Sequence, residues 1–135
     1  MSTVIRPEIT EKSKYYISKH RYYELKHYCL QYPEWQKEYL TLGAVRGGGI
    51  VSLEQSEFSD PTGDAAVKRY ALTKKMQLIK DTAELADPEL AIYIFEAVTK
   101  GVSFTYLKMV MGMPAEKKMY YDRYRKFFWL LNCSH

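Results

Sequence analysis

Lys118, Asp122, Arg125 and Trp129 recur at i, i+4, i+7 and i+11 near the C-terminal end of the chain. On a helix that spacing lines them along one side. Cations repeated along a helix suit a polyanion. Lys118 and Arg125 are placed to face the groove of duplex DNA, with Asp122 between them restricting which bases fit. Ala115 and Lys117 stand at the helix start, where groove contacts concentrate. Arg123 and Lys126, on the flanks, are the expected phosphate contacts, which position a protein while base contacts specify. The same surface supports a second reading. Trp129 lies in line with Lys118 and Arg125, and a large aromatic ringed by cations is the composition of a protein-binding hot spot. Trp35, in the tyrosine-rich first third of the chain, is a further aromatic anchor of that kind.

Other chemistries find little support. The histidines and cysteines are His20, His27, Cys29, Cys133 and His135. Structural zinc needs about four ligands in two close pairs, and the one-residue gaps in His27-x-Cys29 and Cys133-x-His135 are shorter than usual. No metal and no cofactor is expected. Gly47-Gly48-Gly49 lacks the following Gly-Lys-Ser/Thr of a phosphate loop. No Ser-His-Asp order or catalytic carboxylate pair stands out, and Asp60, Asp87 and Ser103 read as helix caps, so an enzyme is not expected.

The cations need a helix to carry them. Ser103 can cap a first helix, Phe104–Met111, by accepting from free backbone N–H groups. Gly112-Met113-Pro114 then breaks it, since glycine supplies the left-handed conformation and proline opens the next helix. The second helix runs to about Asn132. Its inner stripe is Tyr120, Tyr124, Phe127, Phe128 and Leu131. This is a helix-turn-helix pattern, and the competing reading is a plain packing hairpin. Counted from Gly112, Leu107, Met111 and Met113 fall on apolar positions of the motif. Lys108 stands where a small residue is usual, and Lys118 where an apolar one is.

Upstream, Asp60-Pro61 and Asp87-Pro88 both read as cap followed by first helical residue. They bound a helix Pro61–Ala86 with the stripe Leu72, Met76, Ile79, Ala83 and Ala86. A second helix from Pro88 to Gly101 is apolar nearly all round. Toward the N-terminus, residues 1–12 read as a loose arm. A helix from about Ser13 carries Tyr16, Tyr23 and Leu30 at intervals of seven, with Leu25, Tyr28 and Tyr32 on a second flank. A short helix from Pro33 ends at Gly43. The stretch 43–60 reads as a glycine-rich flexible loop, with Ile50–Leu53 the one place where a short strand could form.

The chain has 135 residues, 47% hydrophobic and 27% charged, enough for a sizeable core and too apolar for wholesale disorder. Net charge is +4, and residues 101–135 carry six Lys/Arg against two Asp/Glu, a local basic excess that fits nucleic-acid contact. No apolar run reaches the ~20 residues of a bilayer span, and the N-terminus has no signal-peptide core. Two cysteines are too few for a disulfide framework, so a cytoplasmic location and no membrane partner are expected. The expected fold is all-α: an N-terminal helical segment (1–42), a glycine-rich loop (43–60), and a helical bundle with a C-terminal helix-turn-helix (61–135).

Two blocks, YYELKHYCLQYPEWQKEY (22–39) and SDPTGDAAVKRYALTKKMQLIKDTAELADPELAIYIFEAVTKGVSFTYLKM (59–109), with the closing YYDRYRKFFWLLN (120–132), resemble a phage group. They are similar to small phage- and prophage-encoded proteins of Gram-positive bacteria, the ArpU- or RinA-like late-gene regulators. The C-terminal half of those proteins resembles sigma factor region 4. The resemblance implies a transcriptional regulator in the bacterial host cell that binds duplex DNA through residues 115–126, alongside RNA polymerase. A two-fold homodimer would be natural for such a motif. The protein-binding alternative implies RNA polymerase, a host defence protein or a second copy as partner.

Overall fold

A computed structural model describes residues 14–48 and 61–135, with side chains over 14–43 and 63–135. The expected arm at 1–12, the short strand at 50–53 and the Asp60 cap lie outside the described residues. The described residues form six helices and no strand: α1 (Lys19–Leu30), α2 (Tyr32–Gly48), α3 (Pro61–Ala86), α4 (Ala91–Lys100), α5 (Phe104–Met109) and α6 (Lys117–Ser134). The fold is all-α, as expected.

The chain divides into two compact units. One joins residues 14–31 with Ile79–His135; the other is Tyr32–Leu78, so the boundary falls inside α3. This differs from a division at residues 42 and 60. In the first unit α1 packs on α4 and α6, which also touch each other, and α5 packs on α4. The N-terminal helix therefore belongs to the same core as the C-terminal ones.

Local chemistry sets where these helices begin. The Ser18 hydroxyl accepts from the Arg21 N–H at 3.3 Å, so α1 starts at Lys19 rather than near Ser13. Its buried residues are Tyr22, Leu25 and Cys29, at i, i+3 and i+7. The expected stripe Tyr16, Tyr23 and Leu30 is only half-buried. Tyrosines on several sides of α1 leave the inward direction open, and Leu25 and Cys29, both fully buried, decide it. The Asp87 carboxylate accepts from the N–H groups of Glu89, at 2.9 Å, and Leu90, at 3.2 Å. That turn occupies residues 88–90, so α4 begins at Ala91, three residues past Pro88. Ile94, Ala97 and Val98 are buried, but Ile92 is 62% exposed, so α4 is not covered all round. Gly101 ends the helix at φ +72°, its N–H donating to the Ala97 carbonyl at 2.8 Å.

The second unit pairs α2 with the first part of α3. Gly43 was expected to stop α2, yet the helix runs through it to Gly48. A Cβ at residue 43 would lie 3.2 Å from the guanidinium carbon of Arg69, so the glycine admits that side chain. Its helical cost of roughly 1 kcal/mol relative to alanine accompanies that close approach. The Arg69 guanidinium also stacks 4.0 Å from the Tyr39 ring centroid.

Candidate functional site

α6 presents two opposed sides. Tyr120, Tyr124, Phe127, Phe128 and Leu131 are all buried, the stripe expected from the helical period. Phe128 meets Tyr22 and Tyr124 at centroid separations of 5.1 Å each and Phe127 at 5.0 Å. Arg21 Nε donates to Asn132 Oδ1 at 2.7 Å and ties α1 to the end of α6. These contacts hold the helix in rotation, and so fix which side faces outward.

α5 is framed as expected at its start. The Ser103 hydroxyl accepts from the Tyr106 N–H at 3.1 Å, and Leu107 is fully buried. The helix ends at Met109, two residues before Met111. Gly112 takes φ +69°, and the Met113 N–H closes the turn on the Leu107 carbonyl at 3.0 Å. α6 then starts at Lys117 rather than at Pro114, leaving residues 110–116 as the connection. That is longer than the three to four residues, roughly, of a compact helix-turn-helix. Met113 and Ala115 are buried and anchor this connection on the core.

This geometry sorts the expected contact residues. Ala115 is 7% exposed and precedes α6, which removes it from groove contact. Arg123 was expected to hold phosphate, but its Nε donates to Asp87 Oδ2 at 3.1 Å and its Nη1 to Asp122. Burial disfavours the Arg123 charge, yet the hydrogen bonds and charges of Asp87 and Asp122 outweigh it and hold the pKa above the ordinary guanidinium value. Asp122 is thereby engaged within α6. Lys117 and Lys118 are exposed, and Arg125 and Lys126 half-buried; none of the four forms an ion pair with a described carboxylate. Lys118, Arg125 and Lys126 stand away from the buried stripe. Lys117 projects to the stripe's own side.

The two tryptophans are not the open anchors expected of a protein-binding hot spot. Trp35 is 5% exposed, with the Lys75 ammonium 5.4 Å above its ring. Trp129 is half-buried and packs on Tyr15 at 5.7 Å. Around α5 and the start of α6, Met109 is 79%, Val110 64%, Met119 43% and Tyr106 40% exposed, while Leu40, Val67, Tyr70, Leu85 and Ile92 are exposed elsewhere. None of them was among the contact residues expected from the sequence.

A cleft of about 250 Å³ opens beside α6. α1 contributes Tyr22 and Lys26, the turn after α4 contributes Gly101 to Ser103, α5 contributes Phe104, and α6 contributes Lys117, Tyr120, Tyr121 and Tyr124. Sequence gave no sign of it, because its walls come from helices about ninety residues apart, which only the packed core brings together.

Cys29 and Cys133 are free, the first buried and the second exposed. Burial pushes the Cys29 thiol up to about 12, so it stays protonated and is a poor metal ligand or nucleophile. His135 stacks on Tyr28 at 4.2 Å. Among the described residues no three His, Cys, Asp or Glu side chains come together, and no helix is long and apolar enough to cross a membrane. No family model, curated protein or solved structure matches the chain.

Proposed function

We propose that this chain is a DNA-binding transcriptional regulator of phage type, and that the outer side of α6 lies on the duplex. One observation carries the reading. Lys118, Arg125 and Lys126 share the outward side of an 18-residue helix whose opposite side is locked into an aromatic core. A rigid helix with cations on one side can set several charges against phosphates at once, with little entropy left to lose on binding. The basic excess of residues 101–135 points the same way. Arg123 is not among the contacts; it braces α6 against Asp87 and leaves the outer cations to the ligand.

Fluorescence anisotropy with a random 30-base-pair duplex tests this. Affinity should fall with salt at a log–log slope of about −2 to −3, each neutralised phosphate adding about −0.9. Lys118→Ala with Arg125→Ala should weaken binding and make the slope shallower by roughly 2. Unchanged binding by that double variant, or none at low salt, overturns the proposal.

The exposed Met109, Val110 and Met119 favour a second reading, a protein-binding module. Apolar side chains at the entry to α6 would seat on a partner such as RNA polymerase. Capture of purified bacterial polymerase that is lost in Met109→Asp/Val110→Asp, with DNA binding absent, would favour this reading over the first.

A further inference from the structure

The cleft beside α6 has a composition unlike the rest of the surface. Two lysines, Lys26 and Lys117, stand on its lining from opposite helices, and no Asp or Glu lines it. The chain has 16 carboxylate residues against 20 Lys/Arg, so a cleft that gathers cations and no carboxylate is electrostatically one-sided. Neither lysine forms an ion pair with a described carboxylate.

Its walls are aromatic. Phe104, Tyr120 and Tyr121 form a triangle of rings with centroid separations of 5.6, 6.0 and 5.0 Å. Those separations suit edge-to-face and offset contacts, and a planar ligand ring entering the cleft extends the same cluster. Deeper in, the hydroxyls of Tyr22 and Tyr124 lie 3.4 Å apart in a buried pair. Burial raises the pKa of Tyr120, Tyr121 and Tyr124, so these phenols remain neutral donors across the physiological range. Gly101 lines the cleft at a left-handed φ of +72°, which disfavours any side chain there.

Volume limits the ligand. About 250 Å³ holds one substituted ring or a nucleoside-sized molecule, below the usual range for drug-sized ligands, and excludes a folded partner or a duplex. We infer that this cleft is a binding site for a small aromatic anion, its ring among Phe104, Tyr120 and Tyr121 and its carboxylate or phosphate between Lys26 and Lys117. The cleft is separate from the outward side of α6, and the assay below contains no DNA, so its result stands whatever the outcome of the DNA titration.

The experiment is isothermal titration calorimetry on the full chain with four probes. Two are aromatic anions, 4-hydroxybenzoate and AMP, which distinguish a carboxylate from a nucleotide phosphate. Two are controls, the methyl ester of 4-hydroxybenzoate, which keeps the ring and removes the charge, and cyclohexanecarboxylate, which keeps the charge and removes the aromatic ring. At least one aromatic anion should bind at one site per chain, and both controls should bind roughly tenfold more weakly or worse. Lys26→Ala with Lys117→Ala should weaken the bound probe by at least about tenfold. Lys26→Arg with Lys117→Arg, which keeps both charges, should recover most of the affinity. Both lysines project from the helix surface, so these variants leave the core residues in place. Binding of neither aromatic anion at millimolar concentration overturns the inference. So does binding that the alanine pair leaves unchanged, or a neutral ester that binds as well as the acid.

Discussion

On α6 the side chains of Tyr120, Tyr124, Phe127, Phe128 and Leu131 turn inward, and Lys118, Arg125 and Lys126 stand on the other side. On α1 Tyr22, Leu25 and Cys29 turn inward, while Tyr23 and Tyr28 remain half-covered beside them. Both helices are rich in tyrosine, and both contribute to one core. They differ in how sharply residue type separates the two sides. Phenylalanine and leucine have no polar atom to keep wet, so they commit α6 to a direction. Tyrosine is satisfied half in and half out, so α1 has a graded perimeter rather than two faces. A helix with a sharp boundary can be held rigidly while offering its outer side to a ligand. A helix with a graded one contributes walls, which is how Tyr22 and Lys26 come to line the cleft.

The widest gap between the helices should appear on truncation. Phe127 is fully buried, and Phe127→Ala should cost about 3–5 kcal/mol through lost transfer energy and the cavity left behind. Tyr23→Ala on α1 should cost about 1 kcal/mol or less, since Tyr23 is half-covered and its ring contact is at the edge of Tyr22. Urea unfolding followed by circular dichroism measures both. Equal losses would erase the distinction between a sharp and a graded helix.

The same distinction explains what could be read in advance. The inner stripe of α6 followed directly from the helical period, because apolar and charged residues alternate cleanly there. The bounds of α3, Pro61–Ala86, followed from its flanking Asp-Pro pairs. The direction of α1 did not follow, because tyrosines at 16, 22, 23 and 28 fit several phases. Gly43 and Pro114 misled for a related reason. A glycine marks a helix end or a close approach, and only the packing of Arg69 shows that residue 43 is the latter. Proline permits a helix start without requiring one, and the buried Ala115 holds the chain in a turn until Lys117. On α6, the outward placement of Lys118 and Arg125 was legible from their spacing, whereas the sequence reading places Lys126 on the flank with Arg123. The engagement of Arg123 by Asp87 was not legible, since it joins side chains 36 residues apart.

Alkali should test how evenly the two helices share their core. α1 contributes the thiol of Cys29, and α6 the phenols of Tyr120 and Tyr124, all with pKa values raised by burial. A raised folded-state pKa favours the folded chain while the group is protonated. Its contribution is fully present below the unfolded-state pKa and is lost as pH climbs toward the folded-state value. The loss therefore begins near 9 for Cys29 and near 10 for the tyrosines, and for Cys29 is complete near 12. Unfolding free energy should decline by about 1.4 kcal/mol per pH unit for each group engaged. Urea midpoints taken from pH 7 to 11 should be flat and then fall. In Cys29→Ala the decline should begin about one unit later and be shallower. A wild-type profile that stays level to pH 11 would mean that these groups reach solvent in the folded chain.

The smallest effect separates two arginines on α6 itself. Arg123 and Arg125 are two residues apart, and only Arg123 is tied to Asp87. Asp87 has two duties, one oxygen accepting from the Glu89 and Leu90 N–H groups and the other from Arg123. Asp87→Ala removes both and should cost about 2 kcal/mol, in the range of lost caps with a part-exposed ion pair added. Asp87→Asn keeps the acceptor toward the turn and loses the charge toward Arg123, so it should cost about 1 kcal/mol or less. Arg123→Ala should match the asparagine variant, and the two together should cost little more than either, the signature of a shared contact. Arg125→Ala should leave stability within about 0.5 kcal/mol, as expected of a side chain reserved for a ligand. If Arg125→Ala destabilises the chain as much as Arg123→Ala, then the outer side of α6 serves the fold as its inner side does, and the cations there lose their claim to a partner.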